Sequence, residues 1–348
     1  MCGIGAIINL GNNKKAELQE TVTNILLKLE ERGKEATGVS AVYHDKKKNE
    51  FKAFTLKGPI TASEFVESKE FLKFIDSYWD ARLFLLHTRL PTQGNPKKNK
   101  NNHPLISENF ILVHNGSIRN EKIGWLYHKG IDEEVETDSY AILRIAETEG
   151  LEKALKILEG NMTILAFNKA TGEFYAYKER MPLHVGYCPE RKLLVFASTE
   201  EAISSAFTHR RELFNIIPIE KKEFEHVTTS LKQDVLYSAK VFEDNFRFSR
   251  LIIEKEEHEV QSEYMDLVSY YRRVIFFKHR GFYFIKFKTD IKKKLRKALD
   301  KKFKKFGEFY KIPEDKWEDF MEEIRKYGNR AISEYVHPSY YPGRYGFY

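Results

Sequence analysis

The chain has 348 residues, 42% of them hydrophobic and 31% charged, with 58 Lys and Arg against 51 Asp and Glu. That is enough apolar material for about two domains at roughly 100–200 residues each, and it excludes disorder, collagen-like repeats and low-complexity filaments as the main organisation. Two cysteines outside any C-x-x-C spacing exclude a disulfide framework or a zinc site, no apolar run approaches the roughly 20 residues that span a bilayer, and Met1 to Ala6 carries no leader pattern, so a reduced, cytoplasmic, non-membrane setting without metal or cofactor is expected.

In chain order, Ile4 to Leu10 is an apolar run closed by Gly11-Asn12 and reads as a buried strand. Leu18, Val22, Ile25, Leu26 and Leu29 recur at helical spacing as far as Gly33, which reads as the helix stop. Val39 to Tyr43 and Phe51 to Leu56 form an expected strand pair, followed by strands at Arg82 to Thr88 and Phe110 to Val113. Thr137 to Ala146 and Leu151 to Leu158 read as helices, with Thr137 or Asp138 as the cap. Met162 to Phe167, Glu173 to Tyr177, Leu193 to Ala197 and Ile216 to Ile219 return to strand character. Strands joined by short turns, with helices grouped after them, predict α+β layers rather than a doubly wound parallel sheet.

The last third has another texture. The first 242 residues carry 34 basic and 33 acidic groups, whereas residues 243–348 carry 24 and 18, and Arg272 to Lys305 alone carry 15 and 2. This shift places a module boundary near Phe242, dividing the chain into 1–242 and 243–348. Val274 to Lys288 reads as a β-hairpin with Gly281 in its turn. Ile291, Leu295, Leu299, Phe303 and Phe306 form one helical stripe, and Trp317, Phe320, Met321, Ile324 and Tyr327 a second, so a mainly helical extension is expected. Its lysines, interleaved with aromatics, fit a solvated face over a small core, a partner's acidic surface, nucleic acid or another anionic surface.

Cys2 is the most informative residue. Removal of Met1 would leave a thiol and an α-amine on one residue. An α-amine has a reference pKa near 7.7–8.0, close enough to neutrality to act as general base for its own side chain. Alone, a Met-Cys start is equally an ordinary small N-terminal residue. Taken singly, Arg89 reads as a surface ion-pair arginine, Asp138 as a helix cap and Asn115-Gly116 as a tight turn. His87 and His114 read as structural, and Cys188 as a small buried hydrophobe.

Together the segments carry more. Met1-Cys2-Gly3-Ile4, Arg32-Gly33 with Thr37-Gly38, His87-Thr88-Arg89 with Thr92 and Gly94, Asn102-His103-Pro104, His114-Asn115-Gly116 and Glu136-Thr137-Asp138 stand in register over about 140 residues. In this order they resemble the class II glutamine amidotransferase domain, an N-terminal-nucleophile (Ntn) hydrolase, over about the first two-thirds of the chain. The resemblance implies a four-layer αββα sandwich and a glutamine substrate. It makes Cys2 the nucleophile and gives the oxyanion to the Asn115 side-chain amide and the Gly116 N–H. Arg89 would hold the substrate carboxylate in a fork and Asp138 its ammonium. Thr92 and His103 would line or support the pocket, and Arg32 would pack near the nucleophile. Leu90 stands where the family's synthases carry a bulky aromatic, and Gln93 where a histidine is common.

The expected reaction is attack of Cys2 on the glutamine amide, giving a γ-glutamyl thioester and ammonia for an acceptor held by a separate synthase subunit. No phosphosugar-isomerase-sized segment, Ser-Gly-Gly-x-Asp-Ser loop or phosphoribosyltransferase loop follows in the sequence. A stand-alone γ-glutamyl amide hydrolase and a non-catalytic binding protein that uses the basic tail on the same fold remain as alternatives.

Overall fold

The computed structural model describes residues 1–121, 135–188, 191–206, 230–243, 246–255, 274–279, 281–287, 291 and 293–327, arranged in two compact units that divide after Lys255. The expected strand at Ile216 to Ile219 lies outside the described residues. In the first unit, β1 (Gly3–Asn9) sits at the centre of a six-stranded antiparallel sheet. It is flanked by β4 (Leu83–Arg89), leading outward to β2 (Ala36–Asp45) and β3 (Glu50–Gly58), and by β10 (Leu193–Ala197), leading to β9 (His184–Cys188). A second six-stranded antiparallel sheet is ordered β12 (Ser249–Ile252), β11 (Val235–Ala239), β8 (Glu173–Lys178), β7 (Gly160–Asn168), β6 (Phe110–Ile118) and β5 (Leu105–Ile106).

Period-two alternation assigns the faces. Ile4, Ala6 and Ile8 of β1 meet Leu83 and Leu85 of β4, Ile111 and Val113 of β6, and Leu165 and Phe167 of β7 in one buried core between the sheets. The intervening residues Ile7, Phe84 and Leu86 point outward, onto α1 (Lys15–Leu29), α2 (Ala62–Glu67), α3 (Lys69–Tyr78) and α6 (Glu200–Ser205). The α1 stripe expected from spacing, Leu18 through Leu29, is fully buried on that face. Each such Leu or Ile contributes roughly 1.5–3 kcal/mol by leaving water. Across the molecule α4 (Tyr140–Glu149) lies against β5 and β6, and α5 (Leu151–Ile157) against α4. The layers are therefore α, β, β, α.

The expected boundary at Phe242 falls inside this unit. Phe242, Phe246 and Phe248 pack on the inter-sheet core and β12 extends the second sheet, because the aromatic texture of this stretch serves the first core rather than a new one. The second unit also departs from the mainly helical expectation. Its described residues form a four-stranded antiparallel sheet, ordered β13 (Val274–His279), β14 (Phe282–Phe287), β16 (Phe309–Pro313) and β15 (Lys304–Phe306). Two helices, α7 (Lys293–Lys302) and α8 (Trp317–Tyr327), share its core through Leu295, Leu299, Phe320 and Ile324. Gly281 turns the expected hairpin with φ +70°. Phe306 belongs to β15 rather than to the helix, since Gly307 at φ +58° makes a two-residue turn that pairs Phe306 with Phe309. Within this unit Lys302 pairs with Glu323 at 2.5 Å and Lys305 with Asp300 at 2.8 Å. No described helix is long and apolar enough to cross a membrane.

Candidate active site

The alternation that builds the inter-sheet core also builds the site. On β4 the inward series Leu83, Leu85 continues as His87 and Arg89, and on β6 the series Ile111, Val113 continues as Asn115. Gly3 pairs with Thr88 and Ile4 with His87, so Cys2, in phase with Ile4, stands beside Arg89. At this end of the sandwich the interior changes from aliphatic to polar.

Cys2 is held through its backbone and its sulfur. Arg32 Nε donates to the Cys2 carbonyl at 3.0 Å, and the Cys2 thiol donates to the Leu90 carbonyl at 3.4 Å. A Cβ on Gly3 would come within 2.5 Å of Thr88 Oγ1, so only glycine lets the chain enter β1 this closely. Burial pushes the Cys2 thiol above its usual range, with the Arg89 charge working in the opposite direction. A thiol in that state is protonated at neutral pH and needs a base to become a nucleophile.

Arg89 is buried, which removes the surface ion-pair reading. Its Nη1 donates to Asn102 Oδ1 at 2.7 Å, and its Nη2 to the carbonyls of Gln93 and Gly94 at 2.6 and 3.0 Å. Of five guanidinium hydrogens, both on Nη2 and one on Nη1 are engaged, leaving Nε–H and one Nη1–H, which point in different directions, without a partner among the described residues. The expected two-pronged grip on a carboxylate is therefore only partly available in this arrangement. Gly33, expected as a helix stop, is extended at φ −167°. It caps the last helical turn, its N–H donating to the Glu30 carbonyl, and it is needed for a further reason, since a Cβ there would meet the Arg89 backbone carbon at 2.4 Å. Lys57 Nζ pins the following loop by donating to the Asn102 and Pro104 carbonyls at 2.6 and 3.0 Å, and burial pulls its pKa down to about 8. Glu136 ties the other side of that loop, accepting from Asn95 N–H, Asn101 Nδ2 and Lys98.

The third component is an edge of β6. Lys169 N–H donates to Asn109 O, and Arg119 N–H to Glu159 O, so odd-numbered residues of β6 face β7 and even-numbered ones face the other edge. There β5 covers only Ile111 and Leu112. Beyond it the edge presents His114 C=O, Gly116 N–H and Ile118 N–H in turn. His114 O accepts from His87 Nε2 at 3.2 Å, and Ile118 N–H donates to Asp138 Oδ2 at 2.7 Å. The Gly116 N–H between them is directed into the site. Asn115, buried beside it, has an Nδ2 with no hydrogen-bond partner among the described residues. Gly116 has φ +150°, and a Cβ there would overlap Asn161 O at 1.8 Å. Asn115 and Gly116 thus lie within a strand, paired with Thr163 and Met162, rather than in a tight turn.

Asp138 is not a helix cap. Its Oδ1 accepts from Ser139 N–H at 2.7 Å, while Ser139, whose side chain makes no capping bond, is the N-cap residue of α4. His114 Nε2 faces the Asn161 carbonyl at 3.2 Å, so that nitrogen carries the proton and Nδ1 accepts from Ser139 Oγ at 2.7 Å. His103 stacks on His87 with ring centroids 4.3 Å apart. Burial lowers all three imidazoles, His87 to about 3, so they are neutral.

The structure therefore gathers Cys2, Arg32, Arg89, Asn115, Gly116 and Asp138 at one end of the sandwich, with His103 beneath them. Thr92 is exposed on the loop and makes no hydrogen bond among the described residues. Lys57 and Ser139 lack a sequence signal of their own. Lys57 was visible only as a charge on an otherwise mixed strand. Among the described residues no three His, Cys, Asp or Glu side chains group as a metal site.

Residues 87–205 match the family model of a glutamine amidotransferase domain. The chain is 28% identical over 263 residues to isomerizing glutamine-fructose-6-phosphate aminotransferase 1 of Rattus norvegicus, covering 66% of this chain and 38% of that one. It is 30% identical over 201 residues to the isomerizing glutamine-fructose-6-phosphate aminotransferase of Sulfurisphaera tokodaii, covering 53% and 31%. The chain thus spans about a third of the length of these relatives. Among solved structures, glutamine phosphoribosylpyrophosphate amidotransferase from B. subtilis superimposes with a TM-score of 0.51 at 16% identity, covering 72% of this chain and 49% of that one, a likeness of fold.

Proposed function

Because the chain carries a class II glutamine amidotransferase domain, we propose that it releases ammonia from the side-chain amide of glutamine with Cys2 as nucleophile. Removal of Met1 frees the Cys2 amine, which takes the thiol proton as sulfur attacks the amide carbon. The new C–S bond pushes electrons onto the amide oxygen, which the Asn115 Nδ2–H and the Gly116 N–H stabilise. Collapse of this intermediate breaks the C–N bond, the Cys2 ammonium returns its proton to the departing nitrogen, and ammonia leaves a γ-glutamyl thioester. Water, deprotonated by the same amine, then releases glutamate and restores the thiol. One of the remaining Arg89 hydrogens, on Nε or Nη1, holds the substrate carboxylate as a single charge-assisted bond, and Asp138 pairs with its ammonium while keeping its two backbone bonds.

The observation that carries this reading is the buried Asn115 amide, without a partner among the described residues, beside the N–H of a glycine no other residue can replace. A buried unsatisfied donor costs about 1–3 kcal/mol, a cost explained if the donor waits for an oxyanion. The purified protein should convert glutamine to glutamate and ammonia, and Cys2→Ala and Cys2→Ser should abolish both products. Cleavage of other γ-glutamyl amides in preference to glutamine would favour the stand-alone hydrolase. A retained Met1 with partner capture unaffected by Cys2→Ala would favour the non-catalytic binding protein. The ammonia is assigned to an acceptor on a separate protein, with the lysine-rich α7 as the surface offered to it, and capture by the Cys2→Ala protein is the route to that partner.

A further inference from the structure

The chemistry above draws on two separate sheets: Cys2 and Arg89 on the first, Asn115 and Gly116 on the second. The hydrogen bond at this end that joins their strands is the one from His87 Nε2 to the His114 carbonyl, 3.2 Å long and buried on both sides. We propose that His87 is a positioning residue that fixes the oxyanion donors at their working distance from the nucleophile. The proposal deepens the glutaminase reading and rests on it.

The geometry assigns each end of this bond. His87 pairs with Ile4 in the ladder that carries Cys2 and lies two residues before Arg89, on the same face. His114 O belongs to the residue before Asn115 and lies on the edge of β6 that also presents the Gly116 N–H. A carbonyl can only accept, so His87 Nε2 carries the hydrogen and its Nδ1 is unprotonated; Nδ1 has no partner among the described residues. The ring cannot slide, because it stacks at 22° on His103, whose backbone oxygen is backed by Gly38 so closely that a Cβ there would lie 2.1 Å away. Along the β6 edge, His87 takes the group before the Gly116 N–H and Asp138 the group after it. The oxyanion N–H is thus bracketed by two side-chain anchors, one reaching from the opposite sheet. His87 does not touch substrate in this scheme; it acts through the β6 backbone.

A leucine at this position keeps bulk and loses the donor. A glutamine places its Nε2 the same number of bonds from Cβ as the imidazole Nε2, whereas an asparagine is one bond short. For His87→Leu and His87→Asn, kcat for glutamine hydrolysis should fall at least tenfold with KM within twofold of wild type, because the oxyanion forms only in the transition state. His87→Gln should recover to within about threefold. Equal loss in His87→Gln and His87→Asn, or unchanged kcat in His87→Leu, would overturn the proposal, as would matched changes in kcat and KM. If His87→Leu does not fold, the Gln and Asn pair decides alone. Histidine-selective nitrogen NMR on the wild-type protein tests the bond without any turnover: a neutral His87 with the proton on Nε2 is expected, and a proton on Nδ1 contradicts it. An inactive wild-type protein that still shows the Nε2 proton would remove the glutaminase reading and leave the link between the sheets standing.

Discussion

Cys2, Asn115 and Arg89 depend on burial in different ways. Burial raises the Cys2 thiol, so it is uncharged at rest, and the proposed mechanism gives its activation to the amine that removal of Met1 would expose. A form of the protein in which the Cys2 nitrogen stays in a peptide bond should therefore be folded and inactive, a point checked by assaying a variant with a lysine inserted between Met1 and Cys2, which blocks removal of Met1 and keeps the Cys2 thiol. Burial of the Asn115 amide predicts that Asn115→Ala lowers kcat by about 10²–10³ with little change in KM, the loss seen for single oxyanion donors. Arg89 differs, since its fork is half engaged by Asn102, Gln93 and Gly94. Arg89→Lys should raise KM for glutamine about 10–100-fold, the weight of a lost charge-assisted hydrogen bond of about 1.5–3 kcal/mol, measured against an unchanged far-ultraviolet spectrum. These three residues were legible in the sequence as a motif set, but their partners were not. Nothing in the spacing of Arg89 reveals that loop carbonyls occupy Nη2, because that contact depends on how the chain returns at Gln93 and Gly94.

At the scale of elements, strict periodicity was readable and edges were not. β1 and α1 follow their apolar patterns because each buries a full face. The feature of β6 on which the proposed chemistry depends is its uncovered edge, which exists because β5 is only two residues long, and Leu105-Ile106 carries no pattern that announces so short a strand. The same holds for β15 and β16: Phe303 and Phe306 keep helical spacing, and the Gly307 turn redirects the second of them into a strand. Gly33 ends the helical stretch where its sequence position put the stop, but its close approach to Arg89, a second reason for glycine there, was not legible. Gly116→Ala should be worse than a lost donor, since its Cβ would sit 1.8 Å from Asn161 O. A melting temperature well below wild type, together with loss of glutaminase activity, is the expected outcome, and a stable, active Gly116→Ala protein would contradict the strand geometry described for β6.

Over the whole molecule, the net charge of +7 resolves into a near-neutral first unit and a basic second unit, which divide after Lys255 where the charge pattern alone put the boundary near Phe242. The first unit also carries a pH liability. His87, His103 and His114 are buried and neutral, with His87 lowered to about 3 against an ordinary value near 6.5. Groups held below their unfolded pKa contribute stability that is present above about pH 6.5 and is lost as pH falls toward the folded value. The His87 imidazole should withdraw about 2 kcal/mol by pH 5, and His87→Gln, with one fewer buried imidazole, should show a shallower decline in urea midpoint between pH 7 and pH 5. A slope equal to that of wild type would mean that His87 is not buried in its neutral form. The central claim, that Cys2 is a processed N-terminal nucleophile for glutamine, is tested most directly by intact-mass analysis before and after exposure to a glutamine-like diazo-ketone. The expected result is a chain lacking Met1 that gains one adduct, located at Cys2 and absent from Cys2→Ala; a chain that keeps Met1, or that stays unmodified with a free Cys2 amine, would contradict it.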